Sequence, residues 1–220
     1  MIKKLQYYFW ATYRRKILDK LQEKYKHLYE GIVLDIGGRD RGYFKKPKNK
    51  VKKWIFADIV KEYNPDIVLD VSNMKNIENE SIDVINAIEL FEHVLEVEKG
   101  LDECYRVLKK KGFLIISVPF LYQIHADPYD FQRWTEDKWH IELEKRGFKI
   151  EKIEIMGRFF TVFGDMLKLL IKFLPFGIRH LSYVLFPIID LIVLLDNYDV
   201  IKKHEKLGKY HGGYFIICKK

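Results

Sequence analysis

From Gly31 onward the chain alternates short apolar runs with stretches long enough for a helix. The runs are GIVLDIG, KKWIFADIV, DIVLDV, IDVINAI, GFLIISVPF, FKIEKIEI and GGYFIICKK. Segments this short, apolar on both faces and separated by helix-length spacers, are the pattern of strands buried in a parallel sheet. The last two alternate more and close the chain, which suits an antiparallel pair at a sheet edge. Between the runs, residues 93 to 109 read as a helix ending in basic residues before Gly112. Thr135 followed by Glu136 and Asp137 reads as an N-cap with an acidic first turn, opening a helix over 136 to 146 that Gly147 ends. The predicted architecture is α/β, with one domain over 31–220 and a seven-stranded, mostly parallel sheet whose last strand is antiparallel.

Two segments stand outside that alternation. Residues 3 to 29 carry Leu5, Tyr8, Phe9, Tyr13, Ile17, Leu21, Tyr25 and Leu28 at spacings of three and four, with Lys, Arg and Glu between them. This predicts an N-terminal amphipathic helix within 1–30, packed on the domain. The second is an apolar helical insertion before the last strand, over 157–200. Asp165, Lys168, Lys172, Arg179, His180 and Asp190 interrupt it, so no window offers the roughly 18 charge-free apolar residues of a spanning helix. Pro175, Gly177 and Pro187 are expected to break it into two or three pieces. Such helices would lie over an active-site mouth or touch a bilayer surface.

Composition narrows the class. At 220 residues, 48% hydrophobic and 32% charged, the chain suits one folded domain with a full core rather than a disordered protein. Aromatic residues at 15% favour a stacking or lipophilic site. The net charge of +8 is spread along the chain, with modest clusters at Lys45 to Lys53 and Lys109 to Lys111. A solvated basic surface is therefore expected, and nucleic acid is disfavoured as the partner. Cys104 and Cys218 have no Cys or His at metal-ligand spacing and suggest no disulfide framework. The N-terminus lacks the apolar core and cleavage site of a signal peptide, so a cytoplasmic location is expected, with peripheral membrane contact through 157–200.

The candidate chemistry lies at strand ends. VLDIGGRDRGYF puts Asp35 at the end of the first strand, then a turn holding Gly37 and Gly38, where a backbone can approach a nucleotide-like ligand closely. WIFADIV puts Asp58 about twenty residues on, where an acid can accept from both ribose hydroxyls. In IVLDVSNM, Asp70 can accept from an adenine amino group while the Val71 N–H donates to a ring nitrogen.

On VLDIGGRDRG, FADIV, VLDVSNM, the run ENESIDVINAIELFEHVLEVEKGLDECYRVLKKKGFLIISVP and HADPYDFQRWTEDKWHIELEKRGF, the chain resembles the class I S-adenosylmethionine-dependent methyltransferases, type 11. The resemblance covers roughly residues 31 to 156 and the closing strand. It implies a Rossmann-like methyltransferase sheet, S-adenosyl-L-methionine as cofactor and methyl transfer as the activity. Asp35, Ile36, Gly37 and Gly38 would hold the methionine part, Asp58 and Ile59 the ribose, and Asp70 and Val71 the adenine, with Ala87 and Ile88 completing the site. The family's glycine motif is altered here: Arg39 and Arg41 occupy its second and third glycine positions, and Gly38 and Gly42 are displaced.

Methyl transfer needs a general base only where the acceptor is a hydroxyl or a protonated amine. His93 and His125 are the candidates, with Asp127, Tyr129, Asp130 and Arg133 available to bind a polar acceptor. His93, His125 and Asp130 are taken as the catalytic set, although Asp130 and Arg133 could instead pair as a structural brace. Glu89, Glu92 and His93 resemble the metal-binding residues of ubiquinone-biosynthesis O-methyltransferases, yet the Glu-His pair recurs in relatives without metal, and none is expected. The expected acceptor is small or lipid-linked, and the apolar insertion makes a homo-oligomer plausible. A nucleic-acid methyltransferase and a non-catalytic methyltransferase-like binding protein remain as alternatives.

Overall fold

A computed structural model describes residues 2–38, 43–125 and 129–220. Seven strands form one sheet: β1 (Gly31–Ile36), β2 (Val51–Asp58), β3 (Ile67–Val68), β4 (Ile82–Ile88), β5 (Leu108–Pro119), β6 (Lys149–Ile155) and β7 (Gly213–Lys219), in the order β3-β2-β1-β4-β5-β7-β6. The first five pair in parallel, and β7 lies antiparallel between β5 and β6. Each apolar run of the sequence is thus a strand. The third is cut to two residues because it is an edge strand, and the chain turns away before Asp70.

Both sheet faces are covered. On one, α3 (Val97–Val107) and α4 (Glu136–Lys145) bury Leu101, Cys104, Trp139 and Leu143 against the sheet residues Leu34, Ile85, Leu114 and Ile216. Thr135 caps α4, accepting from the Lys138 N–H, and Gly147 follows its end at φ +87°. The helix expected from residue 93 begins four residues later, because Phe91–His93 form a separate 3-10 turn. On the other face, Leu18 and Tyr29 pack on Val33, Val84, Ile115 and Phe215.

The N-terminal segment is two helices, α1 (Ile2–Trp10) and α2 (Tyr13–Lys24), not one. Thr12 stops continuity by capping α2, accepting from the Arg15 N–H at 3.1 Å. Asp165, distant in sequence, accepts from the N–H groups of Tyr13 and Arg14 and so anchors the same helix start. The insertion adds a further layer on α2. Its helices are α5 (Phe159–Phe173), α6 (Phe176–Ser182), α7 (Phe186–Val193) and α8 (Asp199–Lys202), and Tyr13, Ile171, Phe186 and Ile189 form the core between them and the N-terminus.

Pro175 separates α5 from α6 as expected, but Gly177 and Pro187 break nothing. Helical turns run without interruption over Phe176–Asn197, 22 residues, long and apolar enough to cross a membrane. Pro187 is tolerated because it sits in the first turn of α7, where a missing N–H costs little.

Candidate active site

The strand order reverses between β1 and β4, and the carboxyl ends of the strands open there onto a cleft of about 940 Å³. Such crevices are where doubly wound sheets bind ligands. Asp35, Ile36, Gly37, Gly38, Asp58, Ile59, Asp70, Val71 and Ile88 all line it. Ala87 does not. Side chains alternate along β4, and Ala87 points into the core beneath α3.

Asp35 is buried and accepts from Asn86 Nδ2 at 2.6 Å and Trp54 Nε1 at 2.8 Å, with Lys46 Nζ at 3.5 Å. Burial pushes its pKa up, against the pull of those two hydrogen bonds and the lysine. Tyr29 fixes Asn86 in turn, donating to its amide oxygen at 2.6 Å. The turn then closes over the carboxyl group. Gly37 has φ +70°, and a Cβ at Gly38 would stand 2.0 Å from Asp35 Oδ1. Arg39, Arg41 and Gly42, which bear on the altered glycine motif, lie outside the described residues. Asp58 is buried at the end of β2, accepting from the Val60 N–H at 2.9 Å, whereas Asp70 is exposed and accepts from the Ser72 N–H and hydroxyl.

The opposite wall carries His93, Tyr129 and Phe131. The His93 ring bonds through Nδ1 to the Tyr129 carbonyl at 2.5 Å. A carbonyl only accepts, so Nδ1 carries a proton, and the neutral tautomer that this bond selects is the one with its lone pair on Nε2. That Nε2 stands 3.7 Å from Glu92 Oε1. His125 does not line the cleft but packs behind His93, their ring centroids 5.1 Å apart. Burial, with His93 nearby, lowers the His125 pKa. Asp130 is also off the cleft: Arg133 grips both its oxygens, and it accepts from the His125 N–H at 2.9 Å. The Arg133 hydrogen bonds hold its pKa down at about 2. A carboxylate so engaged braces the loop and is a poor proton acceptor. Asp127 lies outside the described residues.

Glu89 and Glu92 part company. Glu89, at φ +53°, turns to Arg14 of α2, with Nη1 to Oε2 at 2.7 Å, and accepts from the Ser117 hydroxyl at 2.6 Å. Burial opposes its ionisation, but Arg14 and Ser117 outweigh that and keep its pKa low. Glu92 is buried with neither carboxyl oxygen hydrogen-bonded. Burial and the neighbouring Glu89 charge drive its pKa well up, which favours the protonated form. The set that assembles is therefore Glu92, His93 and His125, whose potential ligand atoms lie within 4.8 Å of one another, with Glu89 outside it. Pattern reading also missed Arg14, and Arg15 and Gln22 of α2 and Lys45, Lys46 and Lys48 on the cleft wall. Only the local lysine cluster could have signalled any of them.

Residues 34–116 match a family model described as a methyltransferase domain. No curated protein matches the chain in sequence. Among known structures, an S-adenosylmethionine-dependent methyltransferase from Archaeoglobus fulgidus shares 16% identity, 94% coverage of each chain and a TM-score of 0.56. The MccD protein shares 18% identity, over 92% of this chain and 95% of that one, at a TM-score of 0.52. The cyclase SpnF shares 17% identity, over 92% and 79%, at 0.50. These likenesses establish the fold. The family match, residues 34–116, falls on the strands that build the cleft, so the chain carries a methyltransferase domain there. Such a domain implies S-adenosylmethionine as cofactor, and the residues present fit it: a glycine turn with no room for a side chain at Gly38, and acids at successive strand ends facing one cleft.

Proposed function

We propose that the chain methylates a small or lipid-linked acceptor, acting from the cytoplasm as a peripheral enzyme at a membrane. The observation that carries this reading is the continuity of the cleft, which runs from Asp58 and Asp70 past Gly37 to His93, Tyr129 and Phe131. Cofactor and acceptor would meet inside one cavity.

The cofactor supplies an electrophilic sulfonium methyl. This chain's residues then have three tasks. Asp58 takes the ribose hydroxyls and Asp70 the adenine edge, fixing the donor along the cleft. Tyr129, Phe131 and Leu90 exclude water and pack the acceptor in line. His93 Nε2 accepts the acceptor's proton where that acceptor is a hydroxyl, its ring held in the right tautomer by the Tyr129 carbonyl. Lys45 and Lys48 on the wall suit an acceptor bearing an anionic group such as a phosphate.

Incubation with methyl-labelled S-adenosylmethionine and a cellular lipid extract is expected to place label in the organic phase, with His93→Gln lowering the rate at least tenfold while cofactor affinity is kept. Label recovered only in nucleic acid or protein would overturn the acceptor class.

A further inference from the structure

The charge pattern of the insertion is inverted relative to a soluble helix layer. In α5 the stripe turned outward is Phe163, Met166, Leu170 and Phe173, all exposed, while Asp165 and Lys168 are buried beneath it. Over Phe176–Asn197 only 11% of the most apolar stretch is buried, so this is no core helix. Leu181 is 77% exposed and Val184 70%. From Met166 to Asn197 no exposed residue is Asp, Glu, Lys or Arg. Arg179 is half-buried over the Phe176 ring and the exposed His180 bonds back to the Phe176 carbonyl, while three further ionisable side chains of that stretch are held from behind. Asp190 accepts from the Tyr8 and Tyr13 hydroxyls, Lys172 donates to the Trp10 carbonyl, and Asp196 accepts from the N–H groups of Arg158, Phe160 and Thr161 at the start of α5. An apolar face of this extent, with no exposed Asp, Glu, Lys or Arg from Met166 to Asn197, suits an apolar medium.

Length and composition alone would let Phe176–Asn197 span a bilayer. The topology forbids it. The chain before the run builds β1 to β6, and the chain after it supplies β7, which hydrogen-bonds to both β5 and β6 inside the same sheet. Both ends of the run therefore lie on one side of any membrane, and a single crossing would pull β7 out of the core.

We infer that α5, α6 and α7 form a monotopic docking face that lies in the plane of one leaflet, with an anionic lipid bilayer as its partner. Exposed aromatic side chains rim the face: Trp10 on α1, and Tyr198 and Tyr210 beyond α7. Such rings favour the headgroup level. The segment after the run carries Lys202, Lys203, Lys206 and Lys209, all exposed, against Asp199 and Glu205, which supplies the basic flank an anionic surface attracts. The face is one helix removed from the cleft. Tyr13 of α2 packs on Phe186 and Ile189, while Arg15 and Gln22 of the same helix line the cavity. An acceptor drawn from the leaflet would reach the site beside α2. This inference rests on the lipid-linked acceptor proposed above only in what it explains, and its test stands apart.

The test is flotation of the full chain with vesicles of phosphatidylcholine and phosphatidylglycerol in equal amounts, alongside titration with S-adenosylhomocysteine. The wild type floats. The Leu181→Glu/Ile188→Glu variant, altered only at exposed positions, partitions at least tenfold less while binding S-adenosylhomocysteine as before. Replacing Lys202, Lys203 and Lys206 by Gln weakens binding to these vesicles by roughly fivefold per lysine and leaves binding to neutral vesicles unchanged. A wild type that stays unbound while retaining cofactor affinity overturns the docking face. So does sedimentation showing a dimer that the double glutamate variant dissolves, because a second copy would then cover the face. Loss of S-adenosylhomocysteine binding by the wild type strikes the enzyme reading and leaves the docking result standing.

Discussion

Replacing Arg14 by Met should expose how the N-terminal helix is tied to the catalytic floor. The Arg14 side chain is 5% exposed and that of Glu89 13%, so the pair is effectively out of water. The contact at 2.7 Å is off the hydrogen-bond axis and acts chiefly through charge. Removing one partner of a buried pair costs about 3–5 kcal/mol. Here the cost has a ceiling. Glu89 can escape by taking a proton, which at pH 7 takes roughly 3.4 kcal/mol from its ordinary 4.5 and more from its lowered folded value. The lost stacking of Arg14 on Tyr122, at 4.6 Å, adds up to about 1 kcal/mol. We expect a deficit of about 3–5 kcal/mol at pH 7, read as the urea midpoint or as a fall in Tm of roughly 6–20 °C.

The deficit should also depend on pH with a definite sign. In the wild type, Glu89 has a depressed pKa, so its contribution is present above the ordinary carboxyl range and lost as pH falls through the folded pKa. The variant lacks that contribution, so its deficit shrinks toward pH 5, where protonating Glu89 costs under about 1 kcal/mol. Adding Glu89→Gln to Arg14→Met should recover most of the loss at pH 7. A deficit below about 1 kcal/mol at pH 7, or one that does not change with pH, would refute this account of the pair.

Other outcomes follow from the same physics. Glu92 has a raised folded pKa, so its stability contribution is full below the ordinary carboxyl range and lost as pH rises through the folded value; Glu92→Gln should flatten that loss in unfolding curves taken between pH 5 and 9. Lys168 runs the other way. Burial beside Lys16 lowers its pKa to about 7, so the folded chain gains stability as pH rises from about 7 toward 10, and Lys168→Met should abolish the gain. Gly38→Ala forces a methyl group to within 2.0 Å of the Asp35 carboxyl and should cost at least tenfold in S-adenosylhomocysteine affinity by calorimetry, with the circular dichroism of the fold retained.

The sheet was legible because buried parallel strands leave continuous apolar runs, and every run from GIVLDIG to GGYFIICKK became a strand. The acids at Asp35, Asp58 and Asp70 were legible because strand ends are set by local pattern. Contacts made across the chain were not. The three-and-four spacing of residues 3 to 29 continues through Thr12, and the break before α2 is fixed by the Thr12 cap together with Asp165, some 150 positions away. The choice of Glu89 for Arg14, leaving Glu92 orphaned, is likewise set by packing of α2 on β4 and β5. In the insertion, Asp190 reads as an interruption of an apolar stretch, but the fold turns it inward against two tyrosines and leaves no exposed Asp, Glu, Lys or Arg from Met166 to Asn197.

The measurement that bears most directly on the enzyme is isothermal titration of the folded chain with S-adenosylhomocysteine, beside Asp58→Ala. Saturable micromolar binding is expected for the wild type. Asp58→Ala should bind at least tenfold more weakly, since hydrogen bonds to a charged group are worth about 1.5–3 kcal/mol each. No binding by the folded wild type, or equal binding by the variant, would contradict a cofactor site at these strand ends.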